Sequence, residues 1–313
     1  MKKIGICLLI LCLAVGLTAC AGAEETTVRV NEVTHSVFYA PLYAGMELGF
    51  FAEEDGDVRL VDDMHMLEGA YKVINRNPLG SAAGYGNSFP LDREMTTRLL
   101  GFASPDYNSV AAQMSRGKSE RCVAAAIGSV ALTLNKFAAD CCQYMCPNFG
   151  FIHFPDSLTT GSSIMPHKKN PDVWEMVRGK CNMILSAENE ISMLCSNMPH
   201  GYHREYQLLK DILFPALELV HRCLGITRYM LGYIEVNEHI LDNPLYEHLF
   251  TVEEVNRRVL AGTPFRDAYR QVGIEVNEGR FHFNGELKHT HIGSIGNLCN
   301  EQIAALMEEA AQW

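Results

Sequence analysis

Residues 121–145 read RCVAAAIGSVALTLNKFAADCCQYM. Val123, Ile127, Val130, Leu134, Phe137, Cys141 and Tyr144 recur at alternating steps of four and three. That spacing lays one apolar stripe along a helix of about seven turns. Pro147 and Gly150 end it, because proline cannot continue the hydrogen-bond ladder and glycine tolerates the turn that follows. A second stripe runs Val173, Val177, Cys181, Ile184, then Ile191, Cys195 and Met198, interrupted by Glu188. A third runs Leu209, Ile212, Ala216, Val220, Cys223, Thr227 and Met230. Rods this long with near-heptad spacing bury their stripes against one another as an antiparallel or mixed bundle. The fold expected is mainly α: a partial long-helix bundle with a small helical C-terminal domain.

Working outward, the tail uses shorter helices. Thr251-Val252-Glu253-Glu254 reads as a capping box, Gly262 as a helix stop and Thr263-Pro264 as a fresh start. The chain of 313 residues is 48% hydrophobic, which excludes a disordered or collagen-like protein. Its formal charge of −11 makes a phosphate backbone a poor partner, and no nucleic-acid binding is expected. Of eleven cysteines, the eight from Cys122 onward show no CxxC pair and no zinc-finger spacing. They read as small apolar residues of a reducing compartment, with no metal and no cofactor expected.

The first residues point elsewhere. Lys2-Lys3, an apolar run from Ile4 to Ala19 and Leu17-Thr18-Ala19-Cys20 have the layout of an export signal. The last four residues resemble a bacterial lipobox, which implies lipidation at Cys20 and a membrane link only through that anchor. Val28 to Val33 alternates like a strand. With His35 to Ala44 and Gly45 to Phe51 it resembles the opening of solute-binding lipoproteins of the nitrate, sulfonate and thiamine-precursor type. A lipid-anchored solute-binding protein is therefore an alternative reading, as is a non-catalytic helical scaffold. The expected division is residues 1–20 signal peptide, 21–58 solute-binding-like segment, 59–235 truncated bundle and 236–313 C-terminal helical domain. The opening points to the cell envelope, while the scattered cysteines point to the cytoplasm.

Chemistry concentrates between the first two stripes. Thr160 to Pro171 reads TGSSIMPHKKNP. Asn170 reads as a helix N-cap, Pro171 as the first helical residue and Asp172 as a first-turn acid. Two serines, Lys168 and Lys169 thus meet the free N–H groups of a helix N-terminus, a setting for a carboxylate or a dianion.

Gly161 to Pro166 with Lys168, Asn170 and Pro171 resembles the signature of the fumarase and argininosuccinate lyase superfamily. Further stretches resemble argininosuccinate lyases in particular. These are Asn77 to Gly84 followed by Pro90 to Glu94; Pro171 to Glu175 with Arg178; Tyr202, Arg204, Gln207 and Lys210; and His289-Thr290-His291 with Gly293 to Asn297. The resemblance covers Val61 to Trp313. It implies a carbon–nitrogen lyase that splits argininosuccinate into fumarate and arginine, working as a homotetramer with each active site built from three chains.

By resemblance, Ser162 is the base and Lys168 and Asn170 stabilise the doubly charged carboxylate. Glu175 corresponds to the carboxylate that orients the family's catalytic histidine. Ser163, Tyr202, Arg204, Gln207 and Lys210 are the expected substrate-binding residues, with Tyr202, Gln207 and Lys210 on the arginine end. Two upstream family motifs, a Ser-Arg-Asn-Asp-like clamp and a Gly-Tyr-Thr-His-Leu-Gln-like segment with the general-acid histidine, do not occur in this sequence. Loss of a general acid costs about 10²–10⁴ in rate. His65, His153, His200 and His203 belong to no motif and read as surface or capping residues.

Overall fold

A computed structural model describes residues 58–312, apart from 238, 241, 242, 286–288, 295 and 296. The export signal, Cys20 and the solute-binding-like stretch lie outside the described residues. The chain then runs α1 (Val58–Ile74), β1 (Arg76–Asn77), α2 (Arg93–Leu100), β2 (Ser104–Pro105), α3 (Ser109–Met114) and α4 (Lys118–Tyr144). It continues with β3 (Ile152–His153), α5 (Asp172–Cys195), α6 (Leu209–Leu231), β4 (Glu235–Val236), α7 (Thr251–Leu260), α8 (Phe265–Asn277) and α9 (Asn300–Ala310).

The apolar stripes become the core. All seven residues of the first stripe are buried on α4, which packs against α1, α5 and α6. On α5 the buried line is Trp174, Val177, Cys181, Ile184, Ala187 and Ile191. On α6 it is Leu209, Leu213, Ala216, Val220, Cys223, Thr227 and Met230. Cys141, Cys181 and Cys223 are core residues, and burial raises the Cys141 thiol pKa well above its ordinary value. Val61, Met64, Leu67 and Ala70 give α1 its inner face. Asp63 is buried on that face and accepts hydrogen bonds from Ser129 Oγ and Thr133 Oγ1, so the carboxylate is not left unsatisfied.

Helix direction follows from side-chain pairs. Arg121 near the start of α4 reaches Glu188 and Ser192 near the end of α5. Midway, Asn135 donates to Arg178 O and Asn182 Oδ1. Helices α4 and α5 are therefore antiparallel. The antiparallel β3–β4 pair, Ile152 with Val236, joins the α4–α5 connection to the end of α6. One end of the bundle thus holds the C-terminus of α4, the N-terminus of α5 and the C-terminus of α6; the other end holds their opposites.

Two motifs that resemble the lyases form one scaffold beside this bundle. Arg93 donates to Leu79 O at 2.8 Å, Asp106 O at 2.6 Å and Ser81 Oγ at 3.2 Å. Buried Asn77 donates to Thr97 Oγ1 at 3.0 Å. The guanidinium fork thereby ties the loop after β1 to the residue that follows β2 and to the start of α2.

The start of α7 differs from expectation. Thr251 is the first residue of α7 rather than its cap, and its hydroxyl donates to His248 O. Glu254 turns forward to Arg257 and Arg258 instead of back to Thr251. These guanidinium groups, Arg257 foremost, hold its carboxyl below the usual carboxylate range against the opposing effect of burial. Gly262 does end α7, at φ +101°. Helices α7 and α8 share a small core of Val255, Ala268, Val272 and Phe281. Helix α9 packs on α1 and adds Met307 and Ala310 to the main core.

Candidate functional site

The segment from Thr160 to Pro171 is a lasso closed by its own backbone. Thr160 and Asn170 form an antiparallel bridge, with Asn170 N donating to Thr160 O at 2.8 Å. Asn170 Nδ2 donates to Gly161 O at 3.1 Å. Asn170 is therefore not the N-cap of α5. Pro171 holds the cap position, with φ −82° and ψ 46°, and Asp172 is the first helical residue. The asparagine amide closes the lasso instead of capping the helix. Asp172 accepts from Thr160 Oγ1, which fastens the lasso to the first turn.

Inside the lasso, Ser162 Oγ accepts hydrogen bonds from the backbone N–H groups of Ile164 and Met165, both at 3.1 Å. Two amides aimed at one oxygen favour its negatively charged form over the neutral hydroxyl. Ser162 is half-buried and Ser163 exposed. Of the two cations expected here, Lys169 is committed to an ion pair with Asp156. Lys168 is exposed and has no ion-pair partner among the described residues. Glu175 is on the exposed side of the first turn of α5. Beneath it, Trp174 is fully buried between Phe137 and Phe154, with ring centroids 5.4 and 5.7 Å away. This aromatic wedge fixes the base of the lasso on the bundle.

The expected arginine-binding residues sit elsewhere. Tyr202, Arg204, Gln207 and Lys210 are all exposed, the first three on the connection between α5 and α6 and Lys210 in the first turn of α6. Lys210 Nζ donates to Gln207 Oε1 at 2.9 Å. Tyr206, between them, is buried. Helix α5 has 24 residues and so spans about 36 Å. The serine lasso precedes it and the Tyr202–Lys210 segment follows it. A single chain thus places the two groups at opposite ends of the bundle, and a shared pocket within one chain is excluded.

His65, His153 and His200 are exposed, as expected. His203 is not a plain surface residue. Its ring lies against Tyr206, and its Nε2 is enclosed without a hydrogen-bond partner among the described residues. A groove of about 480 Å³, bordered by Asn75, Arg98, Phe102 and Tyr107, is formed by α2 and β2 and contains none of the expected site residues.

With this geometry in view, comparison with known proteins is decisive for the family. A family profile described as "Lyase" matches residues 19–186. The chain belongs to this family. The match begins at residue 19, well upstream of Val61, and overlaps the stretch that resembles solute-binding lipoproteins. The chain is 54% identical over 274 residues to an argininosuccinate lyase of Parabacteroides distasonis, covering 88% of this chain and 60% of that protein. It is 39% identical over 224 residues to one of Thermotoga neapolitana, covering 71% of this chain and 56% of that protein. The chain therefore spans about 60% of the length of the curated relatives it matches most fully. Among solved structures, EDDS lyase in complex with formate is similar at TM-score 0.64 and 18% identity, over 88% of this chain and 53% of that one. A class II fumarase from Schistosoma mansoni is similar at TM-score 0.62 and 17% identity, over 88% and 60%. These likenesses establish the lyase-type helical fold: the three stripes led us to expect a long-helix bundle, and the resemblance of the Gly161–Pro171 signature implied its type.

Proposed function

We propose that this chain carries the serine-lasso and arginine-segment portions of an argininosuccinate lyase, the enzyme that splits argininosuccinate into fumarate and arginine. The observation that carries the reading is Ser162 Oγ held by two backbone amides, in the same loop as Lys168, which is exposed and has no ion-pair partner among the described residues. In the elimination, Ser162 as alkoxide takes a proton from the carbon next to a substrate carboxylate. The electron pair left behind is delocalised into that carboxylate, and Lys168 offsets the added charge. The bond from the neighbouring carbon to the guanidinium nitrogen then breaks, and the nitrogen acquires a proton as arginine leaves. Asn170 contributes by closing the lasso, with its remaining amide capacity toward the carboxylate. Glu175 fits a residue that orients a proton donor supplied from outside this loop. Ser163 contacts substrate from the lasso side. Tyr202, Arg204, Gln207 and Lys210 hold the arginine end.

Because the lasso and the arginine segment flank opposite ends of α5, a helix about 36 Å long, the site is completed between copies. Exposed apolar side chains along the bundle support assembly: Met176, Met183 and Met193 on α5, Leu132 on α4, and Phe214 and Tyr229 on α6. A homotetramer, as in the resembling lyases, satisfies both demands. For residues 1–20 the proposal is export and lipidation at Cys20, tested by incorporation of a labelled fatty acid in wild type and Cys20→Ala.

The test of the activity is fumarate release from argininosuccinate, followed by ultraviolet absorbance. Wild type should exceed Ser162→Ala. Equal rates in the two overturn the assignment. Mixing Ser162→Ala with Lys210→Ala should restore part of the rate if the site spans two copies, and no restoration overturns the shared site.

A further inference from the structure

The arginine segment is held by a device that its own sequence does not contain. Arg116 lies just before α4, 90 positions from Tyr206. Its Nη2 donates to Tyr206 O at 3.1 Å, and its guanidinium carbon lies 5.4 Å from the Tyr206 ring centroid. Its Nε donates to Glu120 Oε1 at 2.9 Å. The other oxygen of Glu120 accepts from Gly117 N at 2.7 Å. One carboxylate therefore fixes both the guanidinium and the first turn of α4. Gly117 is pressed against the end of α5: a Cβ there would meet Cys195 Sγ at 2.5 Å. The start of α4, the end of α5 and the turn Arg204–Gln207 thus form one tight junction.

We infer that Arg116, oriented by Glu120, is a positioning residue that fixes the register of the substrate-arginine segment. This inference rests on the argininosuccinate reading given above. Tyr206 points inward and is clasped by the guanidinium, while Tyr202, Arg204, Gln207 and Lys210 point outward. Clasping the inward residue by its carbonyl and by its ring face restricts both translation and rotation of the turn. The four outward side chains are then presented in one arrangement, and substrate binding does not bear the cost of ordering them. The planar fork matters. A lysine at this position keeps the charge but cannot donate simultaneously to Tyr206 O and Glu120 from one rigid plane.

Hydrogen–deuterium exchange on the full chain tests this. In Arg116→Gln, amides of residues 202–208 should exchange about tenfold faster, as expected for loss of a charge-assisted hydrogen bond. The middle of α4 and of α6 should be unchanged. Arg116→Lys should be intermediate, and Glu120→Gln should shift the same segment by a smaller factor. Unchanged exchange at 202–208, or a rise spread evenly over the chain, overturns the clamp. Titration with argininosuccinate separates the two readings. Protection of 202–208 in wild type at concentrations where Arg116→Gln needs about tenfold more supports the positioning role. Equal protection in both proteins overturns that role and leaves the lyase reading intact. Protection in neither overturns the lyase reading and the substrate role of Arg116 with it.

Discussion

The serine lasso and the arginine segment are both polar, exposed connections at the ends of α5, yet they are held in opposite ways. The lasso takes most of its restraints from itself and its near neighbours: the Thr160–Asn170 bridge, the Asn170 side chain and the two amides on Ser162 Oγ come from within eleven residues, and Asp156 and Asp172 fasten it from just outside. The arginine segment borrows its restraint from Arg116, 90 positions away. A self-restrained loop can be read from a motif. A loop restrained from outside cannot, because its motif names the outward residues and omits the one that holds them.

Perturbations at the two ends should separate these modes. The largest effect is expected for Trp174→Ala, which removes the wedge between Phe137 and Phe154 under the lasso. A loss of about 3–5 kcal/mol of stability is expected, measured by denaturant unfolding. A loss below about 1 kcal/mol would show that the lasso end does not lean on the bundle core. At the other end, Gly117→Ala places a methyl group on Cys195 Sγ at a residue with φ +81°. A cost of about 1–3 kcal/mol is expected. Adding Cys195→Ala should return the steric part and leave the backbone strain, so the double variant sharpens the comparison.

Asn170→Ala removes the Gly161 clasp. It should cost about 1 kcal/mol, confined to faster amide exchange in 160–170, with the arginine segment untouched. Lys169→Ala breaks only an exposed pair with Asp156. Its effect should stay under about 1 kcal/mol and vanish with added salt. A larger effect of Lys169→Ala than of Asn170→Ala would mean that the lasso is held from outside after all.

Where the sequence misled, the cause was local competition for the same group. Asn170 has the chemistry of a cap, but its amide found Gly161 O first, and Pro171 took the cap position. Thr251 and Glu254 have the spacing of a capping box, but two arginines at the next turn offered the carboxylate a stronger partner. Lys168 and Lys169 looked equivalent until Asp156, brought near by a short turn after β3, claimed one of them.

The sequence by itself determined the long helices and the composition of the lasso. A buried stripe must repeat every three to four residues, and a serine loop before a helix N-terminus closes through neighbours along the chain. Only the tertiary structure decided that the two halves of the motif set stand at opposite ends of a 24-residue helix, and that Arg116 clasps Tyr206. Both depend on where antiparallel rods begin and end in space. That placement is fixed by side-chain packing over the whole bundle, and no spacing within a single motif encodes it.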